Sequence, residues 1–250
     1  MAIKENDSFE KYKIYGAYHW AAFSRDPRKH DLFTYTRYTA MLDNIPLGDG
    51  MNILDLGCGD GALTYLTWKK NPLNKVVGVE PESVGRSLAE DMFKKKNAHA
   101  QFVESTKIIM DESQDIVLCA DVIEHVEKCE EFLNEICRIL KPNALAIIST
   151  PVRLIEFPQD KEHVHEYFPE EFSKLINNYL YVAKHDFCSS VFALELYTWK
   201  PKLFRGRPIL GWIMSFLNIT FKINLLRSFN PGGYQKLWST QIITAVKKKQ

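Results

Sequence analysis

The sequence predicts an α/β chain built on a doubly wound, mostly parallel sheet, and three observations predict it. Short apolar runs alternate with amphipathic segments from residue 51 to residue 180, the pattern of strands joined by crossover helices. A glycine-dense turn, Gly57-Cys58-Gly59-Asp60-Gly61, follows the first run and opens a helix-like segment. The second run, Val76-Val77-Gly78-Val79, ends in an acid, Glu80. Units of this kind bind a nucleoside-bearing cofactor at the carboxyl ends of parallel strands.

Taken in order, residues 1–50 crowd aromatics together: Tyr12, Tyr15, Tyr18, His19, Trp20 and Phe23, then Phe33, Tyr35 and Tyr38. Helical spacing of Tyr35, Tyr38, Met41 and Leu42 predicts a helix within Lys29 to Leu42. This segment is either a layer packed on the sheet or a lid whose Tyr18, His19 and Trp20 cover a ligand. Ile53-Leu54 begins the core as a buried strand, and Ala62 to Lys69 is the first core helix. Ser83 to Lys95 is a helix, Gln101 to Glu104 a third strand, and Asp115 to Ala120 a fourth, buried on both faces. From Asp121 to Leu140 the spacing of Val122, Val126, Phe132, Leu133, Ile136 and Leu140 predicts one helix, stopped by Pro142-Asn143. Ala144 to Ser149 is a fifth strand. Pro169-Glu170-Glu171 opens a helix to Leu180, with proline in its first turn. Tyr181 to Phe187 and Ser239 to Val246 are the last strands. Between them, Ile209 to Phe229 is apolar almost all round, which predicts core or dimer packing, with a membrane surface or lipid as the alternative contact.

Composition bounds the function. Of 250 residues 46% are hydrophobic and 25% charged, and the formal net charge is +1. That is ordinary for a globular chain and offers no overall pull toward DNA or RNA. Five scattered cysteines form no close pair, which fits a reducing compartment and a cytoplasmic location. The opening MAIKENDSFEK has no apolar signal core, so no secretory signal is expected.

The glycine turn satisfies the relaxed dinucleotide pattern through Gly57, Gly59 and Ala62. Charge argues for a different cofactor. Asp55 stands two residues before the first glycine and Asp60 inside the turn, and a pyrophosphate at a helix N-terminus is opposed by nearby carboxylates. A cofactor with an ammonium and a sulfonium benefits from them. S-adenosylmethionine has both, with a ribose for Glu80.

These residues carry a resemblance. Ile53 through Gly61 resembles motif I of the class I S-adenosylmethionine-dependent methyltransferases, and Val77-Gly78-Val79-Glu80 their second motif. Asp115 to Leu118 followed by Asp121-Val122-Ile123-Glu124-His125-Val126 is similar to the ubiquinone-type small-molecule subgroup. Leu140-Lys141-Pro142 before Ser149-Thr150-Pro151 fits the same pattern. The resemblance spans roughly residues 50 to 180. It implies a Rossmann-like sheet with an antiparallel last strand, in one domain: a helical lid over 1–50, a cofactor-binding core over 51–184, and a helical insertion with the final strand over 185–250.

The resemblance also implies roles. Asp55 with Gly57, Cys58, Gly59 and Gly61 would cradle the methionine portion, and Glu80, followed by Pro81, would accept the ribose hydroxyls. Glu104 and Ser105 stand where an acid commonly meets the adenine amine, with serine in place of the usual aspartate. Cys119 and Ala120 would line the methionine end, and Tyr18 and Trp20 of the lid complete the set.

Asp121, Glu124 and His125 stand at i, i+3 and i+4, one face of the predicted helix, and His163 and His165 follow the fifth strand. Three roles are open: capping and orienting the cofactor loop, a general base at His125 or His163, or a divalent metal on Asp121, Glu124, His125 and His163. The third is similar to the metal site of small-RNA 3′-end 2′-O-methyltransferases; the even charge balance disfavours RNA, and no metal is assigned. The expectation is a methyltransferase acting on a small molecule, at oxygen, with a sugar, quinone, lipid-linked or secondary-metabolite acceptor, working as monomer or homodimer. A non-catalytic cofactor-binding partner subunit is the alternative from another class.

Overall fold

The computed structural model describes residues 10–155, 160, 162–228 and 235–248. The ends of two expected segments, Phe229 and Lys249, and residues 1–9 of the expected lid lie outside the described residues.

Among the described residues one sheet has seven strands: β1 (Asn52–Leu56), β2 (Lys75–Val79), β3 (Gln101–Val103), β4 (Gln114–Ala120), β5 (Leu140–Pro151), β6 (Tyr181–Ser190) and β7 (Trp238–Val246). Their order is β3-β2-β1-β4-β5-β7-β6. The first five pair in parallel, and β7 runs antiparallel to both β5 and β6. Chain order reverses between β1 and β4, so a crevice opens beyond their carboxyl ends.

Side chains alternate across each strand, and the central strands bury both sets. Leu54, Val117, Cys119 and Ile148 pack with Phe132, Leu133, Ile136, Phe172 and Ile176 on one face. Those partners come from α5 (Cys129–Ile139) and α6 (Pro169–Tyr179). Ile53, Ile116, Leu118 and Ile147 pack on the other face with Met41, Leu63 and Phe93. These come from α2 (Leu32–Leu42), α3 (Ala62–Lys70) and α4 (Ser83–Lys96). α1 (Glu10–Tyr15) and a 3-10 turn, Tyr18–Phe23, precede α2. Between β6 and β7 the chain forms α7 (Val191–Thr198), α8 (Ile209–Phe221) and α9 (Leu225–Ser228). A small core of Leu32, Ala193, Met214 and Leu226 joins this insertion to α2.

Two expectations are corrected. Asp121 to Leu140 is not one helix. Asp121 takes a left-handed conformation, φ +51°, Ile123–His125 is a 3-10 turn, and the helix begins only at Cys129. The cause lies in long-range partners: Asp121 N–H donates to Ser149 O at 3.1 Å, and its carboxylate accepts from Ser149 Oγ at 2.9 Å. Asp121 therefore caps no helix; α5 starts after Lys128 without a side-chain cap, its dipole met by Glu130 and Glu131. The second correction concerns α8, which is not buried all round. Gly211, Met214, Ser215 and Asn218 face inward, while Ile213 and Phe216 face solvent.

Candidate active site

The glycine turn is held from below by β2. Gly57 N–H and Cys58 N–H both donate to Val79 O, at 2.9 and 3.0 Å. Gly57 and Gly59 have φ +76° and +54°, and a Cβ on Gly57 would strike the Val122 side chain. Both positions therefore require glycine.

Glu80 ties the turn to the next helix. Its Oε2 accepts from Gly59 N–H at 2.8 Å and its Oε1 from Glu82 N–H at 2.9 Å. Burial raises its pKa, and those two backbone donors oppose the rise. Asp55 lies just beneath, buried, and accepts from Thr64 Oγ1 at 2.6 Å. Desolvation pushes Asp55 up to about 7, against the Thr64 hydrogen bond.

Asp60, inside the turn, also serves another segment. It is fully buried, and the N-terminal segment engages it from above. Its Oδ2 accepts from His19 N–H at 2.9 Å and lies 3.3 Å from His19 Nδ1. Its main-chain carbonyl accepts from Trp20 Nε1 at 2.7 Å. The Trp20 ring packs on Tyr65, with centroids 4.9 Å apart, and on Phe23 at 5.4 Å. Asp60 thus fastens the N-terminal segment to the glycine turn. Tyr18 lies half-buried beside His19, ring centroids 4.0 Å apart.

Tyr12 belongs to the site although sequence reasoning assigned it no role. It is 6% exposed. Its hydroxyl lies against Gly59, and its ring lies where a Cβ on Gly85 would come within 3.1 Å. Lys11 beside it pairs with Glu162, beyond β5, so α1 spans the mouth of the crevice. The aromatic crowding of residues 12–23 was the available signal.

Other expected cofactor residues are placed less directly. Cys58 and Cys119 are buried, and burial raises both thiols. Cys119 points into the α5–α6 core, which leaves its backbone for the crevice; Ala120 follows at the strand tip, half-buried. Pro81 is exposed. Glu104 is exposed and lies 3.8 Å from Arg86, and Ser105 Oγ accepts from Lys107 N–H at 3.2 Å.

At the end of β4 the structure brings Glu124, His125 and His163 together; one ligand atom from each lies within 4.8 Å of the others. The His125 and His163 rings meet edge to face, centroids 4.9 Å apart. His125 Nδ1 lies 3.0 Å from Glu162 O, and His163 Nδ1 lies 2.6 Å from Oε1 of the buried Glu166. Glu124 is fully buried. Its carbonyl accepts from Val164 and His165 N–H, at 2.8 and 3.2 Å, which holds the later loop against the earlier one. Its Oε2 accepts from Thr150 Oγ1 at 3.1 Å, whereas Oε1 has no partner among the described residues. Burial, reinforced by Asp121, raises the Glu124 carboxyl well above its usual range, and burial lowers the His125 imidazole. Asp121 stands outside this trio. It pairs with Arg37 of α2, a partner that sequence spacing gave no sign of. His165 turns to Tyr167, centroids 4.4 Å apart. A cavity of about 580 Å³ lies at the opposite, amino ends of β1 and β2, beside Trp68 and His99, and no site residue lines it.

Known proteins share this fold. A methyltransferase-domain family model matches residues 47–200. The ubiquinone biosynthesis O-methyltransferase of Rickettsia bellii (strain OSU 85-389) is 33% identical over 103 residues, 40% of this chain and 42% of that protein. The mitochondrial ubiquinone biosynthesis O-methyltransferase of Dictyostelium discoideum is 31% identical over 120 residues, 43% of this chain and 37% of that one. Both matches therefore span less than half of the curated relatives. In fold, the chain superposes on phosphoethanolamine N-methyltransferase 2 of Haemonchus contortus with TM-score 0.66 at 16% identity, over 100% of this chain and 60% of that one. It superposes on the PH0226 protein of Pyrococcus horikoshii OT3 with TM-score 0.61 at 16% identity, over 96% and 99%. With the family model covering more than half its length, and the glycine turn and acid-ended β2 inside that span, the chain belongs to the methyltransferase-domain family and has the fold of the class I S-adenosylmethionine-dependent methyltransferases.

Proposed function

We propose that the chain is an O-methyltransferase for a small molecule whose acceptor hydroxyl enters beside His125 and His163. The observation that carries this reading is the meeting of Glu124, His125 and His163 at the carboxyl end of β4, next to the glycine turn on β1. Glu80 receives the ribose hydroxyls of the cofactor, and the turn receives its methionine portion. The acceptor oxygen attacks the sulfonium methyl in line, the C–S bond breaks, and S-adenosylhomocysteine and a methyl ether result. The hydroxyl proton passes to an imidazole, for which His125 is suited: burial lowers its pKa and favours the neutral form. Positioning of the two reactants supplies much of the rate. The sequence-matched relatives, named as ubiquinone biosynthesis O-methyltransferases, support oxygen as the nucleophile and a quinone or other lipid-linked phenol as the acceptor class.

A second reading has its own observation. The unpartnered Glu124 Oε1 and the two imidazoles form a mixed oxygen and nitrogen donor set, which fits a divalent cation. Glu124, His125 and His163 would hold it, and a bound cation would lower the pKa of an acceptor hydroxyl that reached it. One assay tests both readings. Labelled methyl transfer to a panel of phenols, sugars and amines, with and without a chelator, is expected to appear on hydroxyl acceptors. Transfer to amines alone contradicts the proposal. Loss on chelation with recovery on an added divalent ion selects the second reading.

A further inference from the structure

We propose that the insertion between β6 and β7 is a docking surface for a bilayer containing anionic phospholipid. The family model ends at residue 200, inside this insertion, so α8 and its basic approach from Pro201 onward lie outside the matched span. α8 contains no charged residue from Ile209 to Phe221, although a surface helix normally turns charged or polar residues outward. Its inward face is Gly211, Met214, Ser215 and Asn218. A Cβ on Gly211 would strike the Tyr197 carbonyl, so α8 lies tight on α7 and its opposite face is left outward. That outward face presents Ile213 and Phe216, 49% and 46% exposed, with Phe221 at 60% at the helix end. The approach to α8 exposes Trp199 and Leu203 as well.

Charge selects the occupant. No Asp or Glu occurs after Glu195, whereas the chain as a whole has a net charge of only +1. Lys200, Lys202, Arg205 and Arg207 lead into α8, and Lys222 follows it; all are exposed. An apolar, aromatic-bearing helix face bracketed by cations matches a bilayer interface, where the apolar side chains enter the acyl boundary and the cations meet phosphates. Among the described residues no helix is long and apolar enough to cross a membrane, so the contact is in-plane. The insertion is also joined to α2: His30 Nε2 lies 3.2 Å from Asn218 Oδ1, and Tyr197 Oη donates to His30 O at 2.9 Å. α2 carries Arg37 to Asp121, so docking sets the distance of the crevice from the bilayer.

The inference stands on this surface alone and is independent of the acceptor. The test is co-sedimentation of the full chain with phosphatidylcholine vesicles, with and without about one-third phosphatidylglycerol. The expected result is binding at least about tenfold stronger to the anionic vesicles, weakened at high salt. Phe216→Ser with Ile213→Ser, and separately Arg205→Glu with Arg207→Glu, are each expected to lose at least about tenfold in binding. Both pairs are solvent-facing and leave the cores intact, and unchanged S-adenosylhomocysteine binding verifies their fold. Equal binding to neutral vesicles, variants that bind like the parent, or a dimer by light scattering that Phe216→Ser dissociates without any vesicle binding would each overturn the proposal.

Discussion

Trp20 donates its indole N–H to the main-chain carbonyl of Asp60 across 2.7 Å, which bolts the N-terminal segment to the glycine turn after β1. The two residues are forty positions apart and both are buried. Trp20→Phe keeps most of the ring packing and leaves that carbonyl without its donor. The expected loss is about 1 kcal/mol of stability, read as a lower urea midpoint with unchanged slope. The N-terminal segment should also be cleaved faster in limited proteolysis. A parental midpoint and cleavage rate would show that the lid is held by packing alone.

Asp55 makes stability depend on pH. Burial raises its pKa from the ordinary 3.8 to about 7. The folded state therefore binds a proton that the unfolded chain has already released. The stabilisation is complete below the unfolded pKa and is lost as pH rises through about 7. The chain without cofactor is expected to be less stable at pH 8 than at pH 5.5. Asp55→Asn should reduce that difference, leaving the share carried by the buried Glu80 and Glu124 carboxyls, whose pKa values are raised in the same sense. A parental slope in the variant would assign the dependence elsewhere.

Arg37 and Asp121 form the other long-range tie to the crevice, with side chains 11% and 19% exposed. Removing one partner leaves the other nearly buried without its counter-charge, the Asp121 carboxylate keeping its hydrogen bond from Ser149 Oγ. Arg37→Met and Asp121→Asn are each expected to destabilise by about 3 kcal/mol. The double variant should cost less than the two singles together. A strictly additive double-mutant cycle would show that the pair is not coupled.

His125 is proposed to act on the acceptor and not on the cofactor. His125→Ala is expected to lower kcat by roughly 10²- to 10⁴-fold and to leave S-adenosylhomocysteine affinity within about twofold. A matched loss of cofactor affinity would instead make the residue a support for the cofactor loop.

Much of the fold was legible because its signals are local. The apolar runs at Ile53-Leu54 and Val76–Val79, and the glycines at 57, 59 and 61, identify their structure without reference to distant residues. The misreadings share one cause. Val122 and Val126 continue the helical spacing of Phe132 and Ile136, but Asp121 is held left-handed by Ser149 and paired with Arg37, neither of which is near it in sequence. Asp60 sits in a cofactor turn by sequence and is used by His19 and Trp20 from another segment. For α8, composition establishes an apolar helix but not whether protein covers its second face. The meeting of Glu124, His125 and His163 was legible in part. Topology brings the loop after β5 to the end of β4, while the burial of Glu124 and the reach of α1 across the mouth come only from the folded chain.

Glu80 tests the account most directly. Its two carboxylate oxygens hold Gly59 and Glu82, and the same oxygens are assigned to the ribose hydroxyls. Titration calorimetry of S-adenosylhomocysteine binding compares the parent with Glu80→Gln and Glu80→Ala. The account predicts affinity reduced at least about tenfold for Glu80→Ala, the cost of losing a charged acceptor, with Glu80→Gln intermediate. Parental affinity in a folded Glu80→Ala protein would contradict it.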